Sequence, residues 1–393
     1  MKGCLIGDEN GKSVCPNKPA TAEDLVLSVE KDVFCGEQRV VNFSAQLALQ
    51  VGQSLSDNDI GGVLGMDAVP AFRYAERSLS GFVRRTTGEP ALCHSADIAL
   101  RALDLGYPQR VVQVALLHDT VEDRSRNLLE ISQHLSEIRS LFGEDVARDV
   151  RCSTNVYSTI IRGIESALPR GLAFDDSTKP VLADALSKHR SALGFQLADE
   201  YDREYRQLLD YFLGQIDLRG GERKARLDKK YTVVSELRLQ SYRLFVEDIH
   251  DDARLRIPPR DSHLHEVILV VKALDLVDNL RTSEVANFGS LERILLKVET
   301  FLDCTFFLHE YIHQRPDVHS TFINVYDYLK CHLVEQLIER KRAMMYLADT
   351  RFAFVADYLV KQISHLQAKY KVSQTIPELT RTRQAIREQN QVA

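Results

Sequence analysis

Apolar residues recur at three- and four-residue spacing through Val111–Leu117, Val267–Leu280, Leu291–Ile312 and Val325–Leu347. That is the period of helices burying one face. Few alternating β-branched runs compete with it, so the pattern predicts a mainly α fold from Ala71 onward. Pro90, after Gly88-Glu89, reads as the first-turn proline of a helix running to Leu105, which Gly106 ends. Pro108 opens the next helix, whose apolar run leads into Asp119–Asp123. The first seventy residues are less patterned. Asn10–Pro19 reads as a loose start, Asp32–Val41 as a short hairpin and Gly61-Gly62-Val63-Leu64-Gly65 as a turn. The last of these resembles a phosphate-binding loop but lacks the GKS/T ending. The stretch from Ile164 to Arg260 is more polar and holds a basic cluster at Arg219–Arg226, read as a solvated loop. Pro258-Pro259 marks the return to apolar helix, and the polar tail from Arg381 frays.

Composition narrows the classes. The 393 residues are 44% apolar and 27% charged, which suits folded protein and excludes disorder for the chain as a whole. A net charge of −6, with acids and bases mixed, gives no support to broad nucleic-acid binding. It leaves room for a locally basic pocket that takes one phosphorylated small molecule. Seven scattered cysteines without a CxxC pair argue against a disulfide framework or a cysteine zinc site. No run of about 18 apolar residues exists to span a membrane, and Asp8 precedes any apolar signal core. A cytoplasmic location is expected.

The segment Val114–Asp123 carries the most chemistry. On a helix, His118, Asp119, Glu122 and Asp123 fall within a sector of roughly 140° at the end of an apolar stem. Buried together, three acids would be costly unless a cation supplied the missing charge; emerging into solvent, they would need none. Two other segments add to it. His94 stands at the start of the helix after Pro90, and Asp275 and Asn279 lie four apart in an otherwise apolar helix. Alone, His94 suits a core histidine, and Asp275 an ion-pair partner for Lys272 or Arg281.

Together these blocks resemble the metal-dependent HD hydrolase domain of the RelA/SpoT alarmone enzymes and the stand-alone small alarmone hydrolases. Arg85, Gly88, Glu89, Pro90 and His94 match one block of that family. His118, Asp119, Glu122 and Asp123 match its HDxxED block, and Asp275, Asn279, Arg281 and Thr282 its last. The likeness covers about Ala71–Asn155 and Ser262–Tyr311. Departures are Thr86, Ala91, Ser95, Leu276 and Asp278, where the family has a basic residue, an aromatic, a proline, an arginine and a histidine.

The resemblance implies a helical bundle over residues 71–320, interrupted by a helical insertion at 164–260. It would be flanked by an extension at 1–70 and a helical one with a polar tail at 321–393, with no synthetase domain. It further implies that His94, His118, Asp119 and Asp275 bind Mn²⁺. Glu122 and Asp123 would move protons, and Arg85, Asn279 and Thr282 would contact substrate. The implied reaction releases pyrophosphate from the ribose 3′ position of a guanosine 3′,5′-polyphosphate. The altered positions leave (p)ppApp or NADPH as alternative substrates, and a non-catalytic nucleotide sensor as an alternative role. A second motif, His309-Glu310-Tyr311-Ile312-His313 with Glu335 downstream, fits the zinc-protease HExxH pattern. No sheet is predicted beside it to hold a peptide, so that reading ranks below the hydrolase. Apolar and aromatic stripes from Tyr326 to Tyr358 suit core packing or contact with a second copy of the chain.

Overall fold

Ser56 and Asp59 cap each other reciprocally, and this capping box starts α1 (Asp57–Leu64). The computed structural model describes residues 55–84, 88–169, 176–219, 237–238, 241–249, 262–282, 293–304, 330–331, 333–335, 337–338 and 360–369. All belong to one unit, Ser44–Ala393. The described residues are mainly helical, with a single isolated bridge between Val83 and Pro90.

Gly61 and Gly62 thus sit inside a helix rather than in the expected turn. The cap fixes the first turn, and Ile60 and Leu64, four apart, are wholly buried on one face. Those two terms outweigh the glycines' low helix propensity of about 1 kcal/mol each. Gly65, at φ +90°, ends the helix in a backbone conformation that favours glycine.

A short 3₁₀ turn (Met66–Ala68) leads into α2 (Val69–Ser78), then α3 (Ala91–Asp104) and α4 (Gln109–Arg124). Pro90 and Pro108 are the residues immediately before α3 and α4, one position from the expected start. There follow α5 (Leu128–Phe142), α6 (Glu144–Ser153) and α7 (Val156–Glu165). The insertion is helical where described: α8 (Thr178–Ala192), α9 (Phe195–Glu200), α10 (Asp202–Arg219) and α11 (residues 241–249). After it come α12 (Ser262–Thr282) and α13 (residues 293–304).

Helix α12 is the spine. Val267–Val271, Ala273, Leu274, Leu276, Val277 and Leu280 are all buried, covering every side of it. An all-round apolar helix belongs at the centre of a fold, and α12 packs on α3, α4 and α6. Helices α3 and α4 also lie directly against one another. Fully buried Leu116, Leu117, Ile98 and Val277 each contribute about 1.5–3 kcal/mol. The polar residues of these three helices are therefore carried on a rigid support.

No described helix is long and apolar enough to cross a membrane. Cys93 is a buried free thiol. The hairpin expected at Asp32–Val41, the Pro258-Pro259 break, residues 220–226 of the basic cluster and the HExxH segment lie outside the described residues.

Candidate metal centre

The entry to α3 is shaped by a tight reversal. The Arg84 N–H donates to the Glu89 carbonyl at 2.8 Å, and the Gly88 N–H to the Arg84 carbonyl at 2.9 Å. Gly88 has φ +72°, a left-handed conformation that a side chain would strain. This turn lays Arg84 against α12, where it pairs with Asp278 at 2.7 Å and donates to Asn279 Oδ1 at 3.2 Å. One helical turn later α3 presents His94.

His94 is gripped on both nitrogens. Nδ1 lies 2.7 Å from Asp278 Oδ2, while Nε2 lies 3.2 Å from Asp275 Oδ1 and 3.4 Å from Asp119 Oδ2. From α4, His118 is wholly buried and its Nδ1–H donates to the Ala115 carbonyl at 2.8 Å. In the neutral ring that bond places the proton on Nδ1 and leaves Nε2 an acceptor. Nε2 has no hydrogen-bond partner among the described residues, although Asp119 Oδ1 is 3.1 Å away, off the line a bond would need. The two imidazole rings are 5.4 Å apart. One ligand atom each from His94, His118 and Asp275 falls within 4.8 Å of the others.

An imidazole lone pair turned toward a carboxylate oxygen is repulsive unless a positive charge lies between them. The donor set of imidazole and carboxylate suits a divalent cation such as Mn²⁺, Fe²⁺ or Zn²⁺. His94, His118 and Asp275 therefore fit a metal ion, and Asp119 stands next to both histidines.

The electrostatics have the same origin. Burial disfavours an imidazolium at His94, but Asp275 and Asp278 outweigh it and raise the ring's pKa to about 10. Burial alone would raise Asp119, yet positive charge at the His118 and His94 rings, when they are protonated, holds it well below the usual carboxylate range. Asp275 is likewise held low against burial, chiefly by Lys272 and His94. Lys272 stays a cation despite burial because Asp275, Glu122 and Asp119 face it. Asp123 behaves in the opposite way. Burial, reinforced by Asp119 and Glu122, pushes its carboxyl up to about 7. Glu122 is oriented by the Asn155 N–H, which donates to Oε2 at 3.2 Å.

His94, Asp119, Glu122, Asp123, Lys272 and Asp275 line one cleft of about 760 Å³, within the range of small-molecule sites. No protein-family profile matches the chain, and no solved structure matches it. An 86-residue stretch is 35% identical to guanosine-3′,5′-bis(diphosphate) 3′-pyrophosphohydrolase of Aquifex aeolicus (strain VF5). Part of this chain is thus similar to a nucleotide hydrolase. The matched stretch is 22% of this chain and 11% of that protein, so the chain covers about a ninth of its relative's length.

Of the residues singled out in the sequence, His94, Asp119, Glu122, Asp123, Asp275 and Asn279 line the cleft, with His118 behind them. Arg85 lies outside the described residues. The Thr282 hydroxyl donates to the Asp278 carbonyl at 2.8 Å, and the residue does not line the cleft. Sequence reasoning missed the Arg84–Asp278 pair, which fixes the far side of His94. A signal was present for the α12 half alone: Lys272, Asp275, Asp278 and Asn279 share three- and four-residue spacings along a helix otherwise apolar.

Proposed function

We propose that this chain is a divalent-metal-dependent hydrolase that removes pyrophosphate from the 3′ position of guanosine 3′,5′-polyphosphates. The observation that carries this reading is the convergence of His94, His118 and Asp275, with Asp119 beside both histidines and the buried His118 Nε2 without a hydrogen bond among the described residues. The similarity to the Aquifex enzyme supplies the substrate class. In this reading the catalytic region is 71–320 with the insertion at 164–260.

The two histidines and two aspartates would hold Mn²⁺. When bound, such an ion acidifies water and polarises a phosphoryl oxygen. The protein's own groups do the rest. Asp278 accepts from His94 Nδ1–H and so keeps the lone pair of Nε2 facing inward. Asp123, whose carboxyl titrates near neutrality, takes the proton of the attacking water as the bond from phosphorus to the ribose 3′ oxygen breaks. Glu122, tethered by Asn155, stands beside it to relay a proton to the departing 3′ oxygen. The Asn279 amide, held by Asp275 and Arg84, keeps one N–H for the ribose. Products are GDP or GTP and pyrophosphate.

Incubation of the full chain with guanosine 3′,5′-bis(diphosphate) and Mn²⁺, followed by chromatography, tests this. GDP with an equal amount of pyrophosphate is expected. Turnover of (p)ppApp or NADPH in preference to the guanine compound would overturn the substrate; no product from any of them would overturn the hydrolase.

A further inference from the structure

The cleft has a second end, and the insertion builds part of it. The Tyr157 hydroxyl of α7 lies 2.8 Å from Gln207 Oε1 of α10 and 3.0 Å from Asp248 Oδ2 of α11. Arg203 pairs with the same aspartate. This network pins α11 so that Tyr242 and Phe245, both buried, wall the cleft. Lys272 Nζ stands 5.6 Å from the centre of the Phe245 ring, and Lys297 Nζ of α13 stands 4.8 Å from that of Tyr242. Arg162 of α7 and Arg238 of the insertion line the same cavity. Arg238 is tied to Glu165, one turn from Arg162.

Five cationic side chains line the cavity against four carboxylates, on a chain whose net charge is −6. Three of the five have assignments: Arg84 to Asp278, Lys272 to Asp275 and Arg238 to Glu165. Arg162 and Lys297 are exposed and have no carboxylate partner among the described residues. All four carboxylates belong to the metal end. A basic rim on an acidic protein concentrates potential where an anion enters.

We infer that Arg162 and Lys297, with Arg238 brought in by the insertion, form a second anion subsite. It takes the phosphate groups at the 5′ end of a nucleotide whose 3′ end lies at the metal centre. The insertion is thereby a specificity element, selecting nucleotides phosphorylated at both ends. The ligand's identity rests on the reading above; the anion subsite itself does not.

The test is the double variant R162A/K297A in the full chain. With Mn²⁺ and guanosine 3′,5′-bis(diphosphate), KM should rise tenfold or more, about the loss of one charged contact, with kcat within twofold. KM for guanosine 3′-diphosphate, which lacks the 5′ groups, should match in both proteins, and R162K/K297R should recover most of the loss. An equal melting temperature verifies folding. Independently, inorganic tripolyphosphate should bind the metal-free variant about tenfold more weakly by calorimetry. Equal KM and equal tripolyphosphate binding in the two proteins would overturn the subsite while leaving the hydrolase intact. Weaker tripolyphosphate binding without turnover of any nucleotide by either protein would retain the subsite and remove the hydrolase.

Discussion

The carboxylate of α6 and those of the cleft are accommodated differently. Asp149 of α6 is almost fully buried, but Arg110 of α4 donates to its Oδ2 from Nε at 2.9 Å and from a terminal nitrogen at 2.7 Å. The charge is answered locally and nothing points into space. In the cleft, Asp119 and Asp275 share a small volume with two imidazoles, and an acceptor on His118 faces another on Asp119. A closed ion pair is architecture. A group of acceptors converging on one point can hold a cation, whose shared positive charge would satisfy them together.

The sharpest way to break the contrast is to remove a donor from each. His118→Ala or Asp275→Ala should abolish both metal uptake and turnover, read by metal analysis and product chromatography. Retained metal with full activity would place the cleft in the same class as the Asp149 pair. Next in size, Asp123→Asn should keep the metal and lose 10²- to 10⁴-fold in kcat. The sign with pH follows from its raised carboxyl: the base works when ionised, so wild-type kcat climbs as pH rises toward about 7. A bound cation moves that limb lower. The variant's residual rate should lack the limb, and a profile of unchanged shape would dismiss Asp123 as the base.

Much of this contrast could be read from the chain before folding. Pro90 and Gly106 bracket α3 to within a residue, and the 118/119/122/123 spacing puts four polar groups on one sector of α4. The helical glycines at 61 and 62 could not be read, because burial of Ile60 and Leu64 outweighs local propensity. Arg84 was hidden for another reason. It became a site residue only when the turn at Gly88 brought it to Asp278, 194 positions away. The contributions of Arg238 and Tyr242 to the cleft are likewise tertiary, and no periodicity announces them.

A smaller effect should come from Asp278→Ala. It removes the acceptor behind His94 and should weaken metal binding about 10- to 100-fold, measured by metal titration. Affinity equal to wild type would mean that His94 is held by its other neighbours alone. The closed pair supplies the last prediction. Burial outweighs Arg110 and raises Asp149 to about 6. The folded state therefore holds a proton there that the unfolded state has released, and this group's contribution to stability falls as pH rises through 4 to 6. Arg110→Ala strands the carboxylate. Denaturant unfolding should show a loss of about 3–5 kcal/mol at pH 7 and a smaller one at pH 5, where the carboxyl is protonated with or without arginine. Metal affinity should not change; a pH-independent loss would mean that Asp149 stays ionised throughout.

The salt link from Arg84 to Asp278 spans nearly half the polypeptide, and this orders events at the ribosome. A nascent chain that has released α3 and α4 carries both histidines but neither Asp275 nor its neighbours on α12. It owns half a centre. The cluster of His94, His118 and Asp275 is therefore complete only when α12 docks, after the long intervening segment has been synthesised. Under the proposed function, fragments ending short of that helix should neither take up metal nor turn over nucleotide.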